Sequence, residues 1–294
     1  MKAIYTLVDD IYELVKRKDG RFSADIAEDF SRSVQSRVTE QYQLPGNGEG
    51  NTTRRGLRLS QMGARCPRAL WYSVHHPELA HPVPPWTEIK FTYGHVLEAL
   101  LIAYAKAAGH TVEGEQDAVS LEGITGHRDC VIDGCIVDVK SASSYTFDKF
   151  KSGLIEKEDL FGYMEQLDGY AVASYNDPIV TVKDKAYDLV VNQVLGHIYL
   201  HEHTVREEHI RKRIEEYKKL IGLSVPPNCQ CGTTTDGKSG NIKLDIKAGY
   251  SSYKFCCFPN LRTFLYASGP VYLTRVVRKP DVIEIDKFNK VVYN

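Results

Sequence analysis

Asp133-Gly134 separates two short runs, Asp129-Cys130-Val131-Ile132 and Cys135-Ile136-Val137-Asp138-Val139-Lys140. An Asp-Gly pair is a strong signal for a two-residue type I′ hairpin turn, because both central positions need positive φ. With that pair at the turn centre, Ile132 faces Cys135, Val131 faces Ile136 and Asp129 faces Asp138. Side chains alternate along a strand. One face therefore carries Cys130, Ile132, Cys135, Val137 and Val139, all suited to a core, and the other carries Asp129, Asp138 and Lys140.

This register opposes two carboxylates at about 5 Å between their Cβ atoms. At an effective dielectric near 20, two full charges at about that distance repel by about 3 kcal/mol. A divalent cation between them turns repulsion into coordination, and hard oxygen ligands suit Mg²⁺ or Mn²⁺. Lys140 beside such an ion can orient an attacking water, assist its deprotonation or neutralise charge developing on a phosphate. The alternative is a surface hairpin whose polar side is simply solvated, and alternation alone favours it.

Two features outside the hairpin weigh against that alternative. From Val96 to Ala108 only Glu98 and Lys106 are charged. A helix apolar around nearly its whole circumference is usually buried, and a buried carboxylate needs a partner. A metal shared with the hairpin would be one; an Arg or Lys would be the structural alternative. Gly94, one turn earlier, leaves room for close approach, and His95 is a second candidate ligand, although a capping or surface role suits it better. Gln166 and Tyr170 lie four apart on a helix predicted over 162–175, hence on one face. The amide can hold a phosphate, a water or the lysine, and the phenol can stack on a base or bond a phosphate.

Helical spacing also predicts helices over 3–17, from the cap Ser23 through Val38, and over 67–73, 88–108 and 206–221. Strand patterns run from Thr111 to Ala142 and recur at Ile179–Val182, Asp188–Asn192 and Val271–Val277. This order indicates an α/β or α+β protein built around a mixed sheet. The Gly-, Asn- and Thr-rich stretch 45–56 reads as a linker between an N-terminal helical extension (1–44) and a domain spanning 57–294 with a cysteine-containing tail.

At 294 residues, 43% hydrophobic and 26% charged, the chain can bury a substantial core. Its net charge of -1 excludes a global positive field. Contact with nucleic acid must come from local clusters such as Arg54, Arg55 and Arg58 with Arg65 and Arg68, or Lys149 and Lys151. Each cluster reads equally well as solvated surface. Asp9 and Asp10 interrupt the apolar positions near the N-terminus, unlike a signal peptide. The longest apolar stretch, Ala99–Ala105, is too short to span a bilayer. A cytoplasmic location with no membrane partner is expected.

In order, Gly94…Glu98, Gly126-x-x-Asp129, Asp138-x-Lys140 and Gln166-x-x-x-Tyr170 form a pattern over roughly residues 60–200. It resembles the RecB-like branch of the PD-(D/E)XK nucleases, a family that includes phage exonucleases and CRISPR-associated RecB-like exonucleases. The resemblance implies a restriction-endonuclease-like mixed β-sheet flanked by helices, two-metal phosphodiester hydrolysis and a DNA substrate. It also implies Glu98, Asp129 and Asp138 as metal ligands, joined by the main-chain carbonyl of Val139. Lys140 would be the catalytic lysine, and Gln166 and Tyr170 the pair typical of the RecB-like branch. An exonuclease in recombination, repair or phage DNA processing is the leading expectation, with recombination or replication proteins as partners and the host cytoplasm as its location if phage-encoded. A structure-specific endonuclease of the same fold and a non-catalytic DNA-binding module are the alternatives.

Cys66, in Cys66-Pro-Arg-x-x-Trp71-Tyr72, resembles the first cysteine of the iron–sulfur subgroup of these nucleases. That subgroup has three further ligands near the C-terminus, often Cys-x-x-Cys, five residues and a last Cys. Aligning Cys257 with the last one puts the other two positions on Ala248 and Ser251. Cys229, Cys231 and Cys256 are candidates to substitute, for a [4Fe-4S] cluster or for Zn²⁺. The Cys229-x-Cys231 and Cys256-Cys257 spacings are unusual for both, so free thiols are the leading expectation. Cys130 and Cys135 are expected in the core.

Overall fold

The computed structural model describes residues 2–17, 22–42, 56–63, 66–288 and 290–292. Of the stretch expected to be a linker only Gly56 is described, and Arg54, Arg55 and Arg65 lie outside the described residues. The described residues divide into two units, one within 1–52, 58–63 and 85–212, the other within 53–57, 64–84 and 213–294.

The first unit starts with α1 (Leu7–Lys16) and α2 (Ala24–Tyr42), where apolar periodicity predicts helices. The Ser23 hydroxyl accepts the Ile26 N–H at 3.3 Å, as an N-cap residue should. After α3 (Pro67–His75), which belongs to the second unit, comes α4 (Pro85–Ala107). It leads into β1 (Val112–Glu113), the hairpin β2 (Ala118–Leu121) and β3 (Ile124–His127), and the hairpin β4 (Cys130–Ile132) and β5 (Cys135–Ala142). Next are α5 (Ser144–Lys151), α6 (Tyr163–Ala173), β6 (Lys185–Asn192) and β7 (Ile198–Thr204). The following helix, α7 (Glu207–Ile221), carries the chain into the second unit.

Five strands form one sheet in the order β1-β4-β5-β6-β7. The β5–β6 pair is parallel and the other neighbours are antiparallel, so the sheet is mixed, as expected. On one face, Leu7 and Ile11 of α1 and Leu101, Ile102 and Ala105 of α4 pack against Cys130, Ile132, Cys135, Val137 and Val139. On the other, Phe147 and Phe150 of α5 and Met164 of α6 cover Ala142 and Val190. Residues near the N-terminus are thus part of this unit's core, and the Tyr12 hydroxyl accepts the Ile198 N–H of β7 at 2.7 Å.

The central hairpin has the geometry its sequence dictates. Asp133 and Gly134 have φ of 50° and 81°, the double positive φ of a type I′ turn. The register is Ile132↔Cys135, Val131↔Ile136 and Cys130↔Val137. The Asp133 carboxylate accepts the Thr111 N–H at 3.1 Å and meets His110 Nδ1 at 2.6 Å, which fixes the turn. Both faces are covered by helices, so the solvated surface hairpin is excluded.

Three details depart from expectation. Ile179–Val182 is a loop rather than a strand, because the N–H groups of Thr181 and Val182 both bond the Gly134 carbonyl, at 3.0 and 3.1 Å. The elements α5 and β7 were not expected from the sequence. Lys149 is buried and pairs with Glu158 at 2.9 Å, so it is not a free cation for DNA.

The second unit holds α3 (Pro67–His75), the end of α7, and β8 (Thr233–Thr235), β9 (Ile242–Leu244), α8 (Ile246–Gly249) and α9 (Lys254–Cys257). It ends with β10 (Arg262–Tyr266), β11 (Gly269–Arg275) and β12 (Ile283–Ile285), in an antiparallel sheet ordered β12-β10-β11-β9-β8. No described helix is long and apolar enough to cross a membrane.

Candidate active site

The hairpin, α4 and α6 bring the sequence-predicted polar residues together. Asp129 immediately precedes β4, and its Oδ2 accepts the Val139 N–H at 2.7 Å. This bond holds the carboxylate across the hairpin, at the position opposite Asp138. Val139 itself turns its side chain into the core. Asp138 is buried in the middle of β5 and ion-paired with Lys140, two residues on and therefore on the same face.

Glu98 of α4 joins the hairpin through Gln116, whose Nε2 donates to Glu98 Oε1 at 2.7 Å and to Asp129 Oδ1 at 3.2 Å. The arginine partner foreseen as the structural alternative for Glu98 is present as well: Arg37 Nη2 of α2 lies 3.0 Å from the same oxygen. Gly94 does face β5, but a Cβ there would sit 3.6 Å from Ser141 Oγ, an ordinary contact. Close approach therefore does not explain that glycine. His95 is half-buried, and burial together with the Arg37 charge lowers its pKa, keeping it neutral.

Lys140 is seated by α6. Its Nζ donates to Gln166 Oε1 at 3.3 Å, and Gln166 Nε2 donates to the Tyr170 hydroxyl at 3.1 Å. The Tyr163 ring centroid is 5.0 Å from Nζ. Gln166 therefore takes the lysine-holding role among those its chemistry allows. Tyr170 is buried behind Gln166, and its hydroxyl serves as the rear support of the amide. Gly126 has a steric reason: a Cβ there would lie 2.8 Å from Tyr170 Cε1 and 3.0 Å from Leu59 Cβ.

Asp188 and Gln116 were not anticipated, nor was Arg37 as the particular arginine that meets Glu98. Asp188 on β6 is the register partner of Asp138 and fully buried, and neither of its carboxylate oxygens has a hydrogen-bond partner among the described residues. Its signal was a carboxylate inside the otherwise apolar run Ala186–Val191 of a strand covered on both faces. The buried Arg128 anchors the Asp129 loop through Asp117 at 2.8 Å and Asp177 at 2.6 Å.

The charges here are mutually frustrated. Burial, then the neighbouring Asp138 and Glu98 charges, push the Asp129 carboxyl well above the usual range. Burial and Asp138 do the same to Asp188. Glu98 is raised by burial, with Arg37 working in the opposite direction. Burial disfavours the Lys140 ammonium, but the charges of Asp138, Asp188 and Asp129 outweigh that and raise its pKa. Burial and Asp138 push the Tyr170 phenol up to about 12, so it stays a neutral donor or acceptor. Buried carboxylates with unpartnered oxygens are costly. A hard divalent cation is the partner that such a donor set fits.

The cysteines also differ from expectation. Cys66, Cys229, Cys231 and Cys257 gather in the second unit with all four sulfurs within 4.8 Å of one another. The Cys229-x-Cys231 and Cys256-Cys257 spacings pointed to free thiols, whereas Cys66 meets Cys229 across 163 residues, a contact no local pattern reveals. Cys256 stands outside the group, its Sγ 3.9 Å from the Leu79 carbonyl oxygen. Cys130 and Cys135 are in the core, as expected.

No family model matches the chain, and no curated protein matches it. Among solved structures, the crystal structure of SSO0001 is similar at 14% identity and a TM-score of 0.39, covering 80% of this chain and 96% of that one. An alkaline exonuclease from Laribacter hongkongensis, LHK-Exo, is similar at 13% identity and a TM-score of 0.35, covering 66% of this chain and 90% of that one. Both likenesses are distant.

Proposed function

We propose that the protein is a metal-dependent deoxyribonuclease in which Glu98, Asp129 and Asp138 hold Mg²⁺ or Mn²⁺ beside Lys140. The observation that carries this is the buried Asp138–Asp188 pair in register on parallel strands, with Asp129 and Glu98 closing on it and Lys140 as the cation at its centre. A packed core gains nothing from this many carboxylates unless a cation joins them. The order of motifs in the sequence, and its resemblance to the RecB-like nucleases, supports DNA as the substrate and the exonuclease as the finer reading.

When bound, a divalent cation supplies a Lewis acid and, from a coordinated water, a nucleophile at neutral pH. The chain's own residues do the positioning. The Val139 N–H and Gln116 fix the two Asp129 oxygens. Gln166 and Tyr163 hold Nζ of Lys140 as a cation facing the carboxylates, where it can orient a water and offset charge developing on a phosphate. Tyr170 and Gly126 keep Gln166 from turning away.

The test uses the full chain with end-labelled linear duplex, single-stranded DNA and a closed circle. Mg²⁺-dependent release of nucleotides from ends, with the circle intact, is expected, and Lys140→Ala should lower the rate by about 10³-fold or more. Cleavage of the circle would replace the exonuclease with an endonuclease. Wild-type rates in Lys140→Ala would remove the site.

A further inference from the structure

The cysteine group lies in the second unit and is independent of the nuclease assignment. The cluster implied by the resemblance can be tested against its geometry. In a [4Fe-4S] cluster each thiolate binds a different iron and points outward from the cube, which sets the four sulfurs about 6 Å apart. Here the Cys66–Cys229 and Cys231–Cys257 sulfurs are each 3.9 Å apart, and no pair among the four exceeds 4.8 Å. The cluster does not fit. Four thiolates around one ion at about 2.3 Å, at tetrahedral angles, lie about 3.8 Å apart. The two 3.9 Å pairs match that spacing, and the other pairs, within 4.8 Å, are too close for the cluster.

We infer that Cys66, Cys229, Cys231 and Cys257 bind a single Zn²⁺ as a closed tetrahedral structural site. The ligands come from three segments. Cys66 is the N-cap of α3, Cys229 and Cys231 lie on the loop before β8, and Cys257 ends α9. Backbone N–H groups support the sulfurs: Gln230 donates to Cys66 and Cys231 donates to Cys229, both at 3.4 Å. Such donors stabilise thiolates. Four protein ligands leave no open coordination position, which separates a structural ion from a catalytic one. Cys231 also packs against a small apolar cluster of Leu244, Ala248 and Leu261. A core of that size is where a metal staple adds most.

The choice between one zinc ion and an iron–sulfur cluster is settled by composition. The full chain is expressed with both iron and zinc supplied, purified without oxygen, and analysed for metals and acid-labile sulfide. About one zinc per chain is expected, with no labile sulfide and no brown absorbance near ~400 nm. Iron with labile sulfide overturns the inference, and so does a chain with no tightly held metal. Cys231→Ser should retain about tenfold less zinc, while Cys256→Ser retains it fully. Equal retention in both variants also overturns it. If Cys231→Ser does not fold, Co²⁺ exchanged into the wild-type chain serves instead. Intense visible bands of a tetrahedral thiolate site are expected, and the weak spectrum of a six-coordinate site counts against it.

Discussion

Asp129→Asn isolates the charge at the candidate active site. Asparagine keeps an oxygen for the Val139 N–H and gives up only the longer Gln116 bond, at 3.2 Å, because the Gln116 amide stays on Glu98 at 2.7 Å. What disappears is one negative charge among Asp138 and Glu98, partly offset by Lys140. At about 5 Å and an effective dielectric near 20, each acidic neighbour repels Asp129 by about 3 kcal/mol, and one cation at similar range cancels about one of the two. Relaxation and solvent access at this half-buried side chain reduce the remainder to about 1–2 kcal/mol.

Without divalent ions, Asp129→Asn should therefore be more stable than the wild type. About 1 kcal/mol moves Tm by roughly 2–4 °C in a domain of this size, so a rise of about 2–8 °C is expected. The gap should widen with pH. A carboxyl whose folded pKa is raised contributes fully only below its unfolded value, near 3.9, and loses that contribution as pH rises through the folded value. With Mg²⁺ the order reverses: saturation to about 100 times Kd would stabilise the wild type by about 2.7 kcal/mol and leave the variant nearly unchanged. Scanning calorimetry in buffer freed of divalent ions on a resin, with no chelator to strip the thiolate site, reads both effects. A variant less stable than the wild type without Mg²⁺, or equally stabilised by it, would refute the reasoning.

Lys140→Met should abolish hydrolysis but keep the Mg²⁺-induced rise in Tm, and Lys140→Arg should not restore activity because Gln166 and Tyr163 enclose a single ammonium; rates and melting curves of the two variants decide. Gly126→Ala should cost about 1–3 kcal/mol, as its methyl overlaps Tyr170 and Leu59, and should slow hydrolysis by displacing the support of Gln166; wild-type stability in urea titrations would dismiss the steric account. His203 is bonded by Glu156 and Asp168 at 2.8 Å each, and although burial opposes its charge these carboxylates hold its pKa at about 9. Its stabilisation is present below its unfolded value near 6.5 and lost as pH rises through about 9, so the difference in unfolding free energy between wild type and His203→Gln should shrink by roughly 1–3 kcal/mol between those limits; a constant difference in urea titrations across that range would count against it.

What could be read in the sequence was local. Asp133-Gly134 specified its turn, and the turn specified the register of Ile132 with Cys135, because both follow from φ preferences and strand alternation within a few residues. The helices carrying Glu98 and Gln166 were legible for the same reason. What escaped were partners chosen by tertiary structure. Arg37 reaches Glu98 from 61 residues away, and Gln116 reaches Asp129 from a loop with no periodic pattern. The loop 179–182 has the composition of a strand, yet its backbone bonds the Gly134 carbonyl instead of a ladder. The four cysteines became a site only once Cys66 was set beside Cys229.

The charge balance of the candidate site bears on how many ions it takes. Glu98, Asp129, Asp138 and Asp188 supply four negative charges, and Lys140 and Arg37 two positive ones, leaving a surplus of two. In a largely buried setting that surplus must be removed by protons or by a cation, and the raised pKa values of Asp129, Asp188 and Glu98 express the first option. One divalent ion cancels the surplus by itself. A second would leave the site positive, and is tolerable only when a phosphodiester brings its own negative charge. The balance therefore favours a first ion bound without DNA and a second recruited with it. Calorimetric titration of Mn²⁺ should give about one site in the free protein and about two in the presence of a non-hydrolysable DNA end. Two equally tight sites without DNA would contradict this account, because the four carboxylates cannot neutralise both ions while Lys140 and Arg37 stay charged.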